Sequence, residues 1–147
     1  ELDSREKLEK EYEQIKKEEE TLVLRIAERR KDLFLSSAIA KKVIKLSQKV
    51  VPGATKSPLS EKDWQNIITQ VNDVYPFLAD RLAAFNLSAA ELRYCYLSLL
   101  GLDSIGESIL LHIQPDSVNK RRQRVRQRLG IIAKELDLCA YLINSVQ

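Results

Sequence analysis

The side chains best able to do chemistry are gathered in one short stretch. Ser117–Arg128 carries six cations, Lys120, Arg121, Arg122, Arg124, Arg126 and Arg128, and no acid. Asn119, Gln123 and Gln127 are interleaved with them. Asn and Gln carboxamides pair bidentately with adenine edges, and Arg or Lys with guanine. Further arginines suit phosphate oxygens, which fix register without reading sequence. Val118, Val125 and Leu129 recur at i, i+7 and i+11, on one face of a helix, whereas Asn119, Lys120, Gln123, Arg126 and Gln127 fall elsewhere. An ordinary solvated face would intersperse acids. The nearest here is Asp116, in the first turn, where the helix dipole favours it. The expected DNA-contacting set is Ser117, Asn119, Lys120, Arg122, Gln123, Arg124, Arg126 and Gln127.

Other chemistry finds little support. His112 is the single histidine, and no cysteine lies near it in sequence, so neither a metal site nor a catalytic role is expected. Cys95 and Cys139 match no metal spacing and read as small core residues of a reducing compartment. The chain lacks a glycine-rich phosphate loop and a Ser/His/Asp set. Trp64, Tyr75, Phe77, Phe85, Tyr94 and Tyr96 are spaced as core residues. They are not interleaved with the basic strip, as a stacking platform for single strands requires. Lys41, Lys42, Lys45 and Lys49 form a small basic face read as solvated. No enzyme and no cofactor are expected.

The elements that must position this strip are helical. The chain has 147 residues, 44% hydrophobic and 31% charged, with only four Gly and four Pro. Many short strands would need turn residues at each connection, so an all-α class is expected. No run approaches the roughly 18 uncharged apolar residues of a membrane span. The absence of Met and the start at Glu1 predict a piece of a longer protein, without a secretory signal. The net charge of +3 is unevenly spread: residues 1–35 hold nine Lys/Arg against eleven Asp/Glu, residues 36–147 fifteen against ten. Such asymmetry points to an anionic partner.

Residues 1–50 read as a long helical arm without Gly or Pro. Leu8, Ile15 and Leu22 take heptad position d, and Tyr12, Ile26 and Leu33 position a; Glu19 and Arg29 break the seam. A stripe this long with no partner would not hold a helix in water, so self-association through residues 8–33 is expected. Ser36 and Ser37 interrupt the helix or cap its continuation, and Ala38–Val50 is expected to pack onto the following domain. Residues 51–59, with Pro52, Gly53 and Pro58, form a linker. A helical domain then fills 60–147. Ser60 opens a helix faced by Trp64, Ile67, Ile68, Val71 and Val74; a short helix ends near Asn86; Ser88-x-x-Glu91 is a capping box. Gly101 stops that helix, another starts at Asp103 or Ser104, and Pro115 opens the basic one, which Gly130 ends. A last helix is expected over Asp137–Ser145.

Three short helices within 87–130, the third basic, are what a helix-turn-helix needs. Leu87-Ser-x-x-Glu91, Gly101-Leu102, Ile113-x-Pro115-x-Ser117-Val118 and Arg128-Leu129-Gly130 resemble the LuxR/FixJ-type (GerE) helix-turn-helix. Phe34-x-Ser36-Ser37-x-Ile39, Leu59-Ser-x-Lys-Asp63-Trp64, Val74-Tyr-Pro76-Phe77, Glu91-Leu-Arg93-x-Cys95 and Leu99-x-Gly101-Leu102 are similar to the C-terminal segment of bacterial tetratricopeptide-repeat regulators. That resemblance implies a transcription regulator, cytoplasmic or the cytoplasmic part of a membrane-anchored protein, whose helix 115–129 reads double-stranded DNA as a homodimer. It makes Ser117-Val118-Asn119-Lys120 the start of the base-contacting surface. The family pattern Ser-x-x-Glu-Ile-Ala is not kept at Asp103–Ser108: Gly106 stands where its acid should be and Glu107 where its core Ile should be. Ser104-x-x-Glu107 offers a capping box one residue later, with Ile105, Ile109 and Leu110 taking over the packing. The same departure motivates a rival expectation, a coiled-coil interaction module whose degenerate helix-turn-helix does not bind DNA.

Overall fold

The computed structural model describes residues 2–131 and Leu142. Among these residues it is all-α: α1 (Leu2–Leu35), α2 (Ala38–Ser47), α3 (Glu61–Val74), α4 (Leu78–Ala83), α5 (Ala89–Ser98), α6 (Ser104–Leu111) and α7 (Pro115–Arg128). The helix expected over Asp137–Ser145 lies outside the described residues, apart from Leu142, which is helical and fully buried. No described helix is long and apolar enough to cross a membrane.

Local chemistry sets the boundaries. Serine hydroxyls cap three of the helices, Ser37 accepting from the Ala40 amide, Ser60 from Asp63 and Ser88 from Glu91. The last two are complete capping boxes, each acid accepting from the serine amide in return. Asp63 and Glu91 are both buried and both held below the ordinary carboxylate range. For Asp63 the first cause is the Lys42 ammonium at 2.7 Å, followed by the Ser60 amide. For Glu91 burial pushes upward most, but Ser88, Arg128 and Arg124 together outweigh it. Asn86 and His112 take left-handed conformations where α4 and α6 give way to turns.

At 34 residues, α1 is about 50 Å long. Every residue from 3 to 26 is exposed, and near its end the helix turns Ala27 and Phe34 into the core. The Phe34 ring stands edge-on to Tyr75, centroids 6.4 Å apart, which fastens α1 to the end of α3. Ala27 and Phe34 lie about 100° around the helix from the Leu22, Ile26, Leu33 line. The apolar seam is therefore not used by the domain: Leu8, Tyr12, Ile15, Leu22, Ile26 and Leu33 are all 47% or more exposed.

Helix α2 lies on α3 and α6, so the packed domain takes in the second part of the 1–50 segment. Helix α6 packs on α7, α7 on α5, and α5 on α3. Arg93 of α5 sits 5.0 Å above the Trp64 ring and pairs with Glu61, which ties α5 to α3. The linker is anchored as well. Leu59 is buried, and the Ser57 hydroxyl donates to the Leu110 carbonyl at the end of α6.

Truncating Phe34 to Ala removes the fully buried ring that fastens α1 to Tyr75. We expect a loss of about 3–5 kcal/mol in chemical denaturation, whereas Leu22→Ala, on the exposed seam, leaves the stability of the monomeric chain nearly unchanged.

Candidate nucleic-acid interface

Helix α7 begins with Pro115 at its first position, behind Gln114, whose side chain makes no cap bond. It turns a narrow apolar line inward, with Val118 and Val125 fully buried and Leu129 nearly so. Opposite that line, Lys120, Gln123, Arg124 and Gln127 form one exposed stripe at i, i+3, i+4 and i+7. Ser117 and Asn119 are exposed on its flanks, and Arg126 is half-buried. Six of the eight expected contact residues thus reach solvent together on one helix.

Arg122 does not join them. It falls at the fourth residue after Val118 and the third before Val125, on the inward line, and only a third of its side chain is exposed. Its Nη2 donates to Glu107 Oε1 at 2.5 Å, and its Nε donates to the Tyr94 hydroxyl at 2.8 Å. The Tyr94 hydroxyl in turn donates to Glu107 Oε1 at 3.3 Å. Glu107 is 1% exposed and Tyr94 is fully buried. One hydrogen-bonded cluster therefore joins α5, α6 and α7. Arg122, expected as a phosphate contact, has its guanidinium engaged by a buried carboxylate, with a third of the side chain still exposed.

The cluster also explains the unusual sequence of α6. A carboxylate this deeply buried would be prohibitive alone, but Arg122 and Tyr94 supply the charge and the hydrogen bond it needs. The capping box expected for Ser104 and Glu107 does not form. Asp103 is the N-cap and accepts from the Gly106 amide at 2.7 Å, which frees Glu107 to turn inward. A side chain at Gly106 would be a tight fit. A Cβ there would stand 3.2 Å from the Asp103 carboxylate and 3.5 Å from Ser47 of α2. Leu110 is buried as expected for a packing substitute, whereas Ile105 is 63% exposed.

Two further contacts orient the basic helix. Arg128 pairs with Glu91 at 2.9 Å and donates to the Asn86 carbonyl, holding the last turn of α7 to the start of α5. The Ser104 hydroxyl donates to the Asn119 carboxamide oxygen at 2.9 Å across the turn. Lys120 and Arg121 make no ion pair among the described residues. The positioning residues Tyr94, Glu107, Glu91 and Arg128 were not expected from the sequence. The Val118, Arg122, Val125, Leu129 spacing held the signal for one of them, since it sets a cation on an inward line that must find an acid.

Charge energetics follow the geometry. Burial drives the Tyr94 hydroxyl up to about 12, aided by the neighbouring Glu107 charge. Burial also lifts Glu107 above the ordinary carboxylate value, against the pull of Arg122 and Tyr94. Burial lowers Arg122, but its two partners outweigh this and raise it, so it stays charged. A carboxyl raised on folding favours the folded state when protonated, and its contribution is lost as pH rises through the folded value. Glu107→Gln should therefore flatten the pH dependence of the denaturation midpoint just above pH 4.5. Glu107→Ala strands the Arg122 charge and should destabilise the protein by about 2–4 kcal/mol, below the full cost of breaking a buried pair because Arg122 keeps some solvent. Replacing both together, Glu107→Ile with Arg122→Leu, should recover most of that loss in the same denaturation assay.

Comparison of the chain with family models, with curated proteins and with solved structures finds no match.

Proposed function

We propose that α6 and α7 act as a helix-turn-helix and that the chain is the DNA-binding part of a transcription regulator, reading the major groove of double-stranded DNA with α7. The observation that carries this reading is the division of labour on α7. Its inward line is locked by Arg122, Val118 and Val125, and its outward stripe of Lys120, Gln123, Arg124 and Gln127 is exposed and free of acids. A rigid helix offering cations and carboxamides on one face suits base edges and phosphates together. Arg121, Arg124 and Arg126 add charge for the backbone.

The arm supports a dimeric form of this reading. Its apolar seam is exposed along more than three heptads and lies apart from the face that meets the domain. A second copy of the same helix would cover it and double the cations presented to the duplex, with two α7 helices on half-sites about one helical turn apart. A cytoplasmic location follows from such a role.

Exposed Ile105 keeps a second reading in play, an interaction module that does not bind DNA. The two differ in a simple assay. If each protomer neutralises about three to five phosphates, log K for a duplex falls steeply with log salt; a binding isotherm that stays flat from low to moderate salt sinks the DNA reading. Substituting Lys120 or Gln123 should relax preference at particular base pairs, by about 1–3 kcal/mol each, whereas Arg124→Ala should weaken all sequences alike. Ile15→Glu with Leu22→Glu should yield a folded monomer in analytical ultracentrifugation, with markedly weaker DNA binding.

A further inference from the structure

The mouth of a groove of about 690 Å³ lies at the start of α7, between Gln114 and Pro115 on one side and the 49–58 segment on the other. Two lysines line it, Lys49 just past α2 and Lys56 in the linker, and no Asp or Glu is among the lining residues. Both lysines are exposed. Several cations elsewhere on the domain's packed helices are committed to carboxylates: Lys42 to Asp63, Arg93 to Glu61, Arg122 to Glu107 and Arg128 to Glu91. Lys49 and Lys56 make no such pair among the described residues. Nor does Lys56 sit on a loose tether. The hydroxyl of adjacent Ser57 is bonded to the Leu110 carbonyl, and Leu59 is buried beyond it, so the linker is fixed against the end of α6.

We infer that this groove is a clamp for the phosphate backbone, with Lys49 and Lys56 as its cations, and that its occupant is the same duplex α7 reads. The inference rests on the DNA-binding reading and extends it to residues outside the α5–α7 unit. Its support is charge complementarity and continuity. In a helix-turn-helix the N-terminal residues of the second helix meet the base edges while the first helix crosses the backbone. Groove walls at the head of α7 then lie where the adjoining phosphates run. Two unpaired lysines held at that place by α2 and by the anchored linker each take one phosphate, without contributing to base choice. The linker thereby does more than connect α2 to α3, since it presents Lys56 from a segment anchored to the end of α6.

The test uses the full chain and a duplex selected by the unaltered protein, together with a scrambled duplex of equal length. Kd is measured across a salt series for the unaltered protein, for Lys49→Ala/Lys56→Ala, and for Lys62→Ala, an exposed lysine on α3 that serves as a net-charge control. Both groove lysines lie outside helices and are exposed, so the double variant should keep its helicity by circular dichroism; single Lys→Gln variants replace it if it does not. The expected result is a salt slope shallower by about 1.8 per protomer. Affinity should fall by the same factor on both duplexes, and Lys62→Ala should keep the original slope. If the unaltered protein binds with a steep slope that the double variant retains, the clamp is wrong and the DNA reading stands. If Lys62→Ala lowers the slope by half as much as the double variant, the same per charge removed, the effect is net charge and the clamp is again wrong. If the unaltered protein shows no salt-dependent binding to either duplex, both fail together.

Discussion

A carboxylate buried at the junction of three helices has to be answered by a cation and a hydrogen-bond donor, or the helices cannot close around it. Here the carboxylate is Glu107 on α6, the cation is Arg122 on α7 and the donor is the Tyr94 hydroxyl on α5. Much of the rest depends on this one cluster. It fixes the rotation of α7 about its own axis, because only one rotation brings Arg122 to Glu107 while Val118 and Val125 enter the core. That rotation determines which side chains of the basic helix face water. It also links the helix with the exposed stripe to the two helices that carry it, so the stripe is presented by a braced unit. The Arg128–Glu91 pair repeats the device at the other end of α7, on a carboxylate already engaged in a capping box.

The residues of α6 work as a coordinated set. Asp103 caps the helix through its own side chain, so the acid four residues on is free to be buried. Gly106 faces Ser47 of α2 across the first turn. Together they set a polar contact between α6 and α7. Such a contact is directional, since hydrogen bonds between planar groups tolerate less rotation than apolar packing does.

The arm obeys a separate constraint. One face of α1, at Ala27 and Phe34, belongs to the domain, and another face, about 100° away, carries the heptad line. Because the two do not compete, the helix can remain docked while its seam is covered by something else. Residues 3–26 are exposed, and an isolated helix of that length is marginal in water. The separation of faces makes the proposed pairing of two arms compatible with an undisturbed domain.

Much of the fold was legible in the residues. Serine caps, capping boxes, Pro115 and Gly101 punctuate the chain because these signals act within a few residues, independently of what packs against the helix. The inward positions Val118, Val125 and Leu129 followed from helical periodicity alone, and so did the exposure of Lys120, Gln123 and Gln127. Charge was where local reading ran out. A run of six cations looks uniform in sequence, yet Arg122 and Arg128 are structural while Lys120 and Arg121 make no ion pair among the described residues. An ion pair is a relation between residues 15 or 37 positions apart, so neither partner reveals it by itself. The sequence determined the helices and which helix is basic, through propensity, capping and period. Which of those cations are tied to acids was set by the packing, because burial of Glu107 and Glu91 depends on how helices distant in the chain come together.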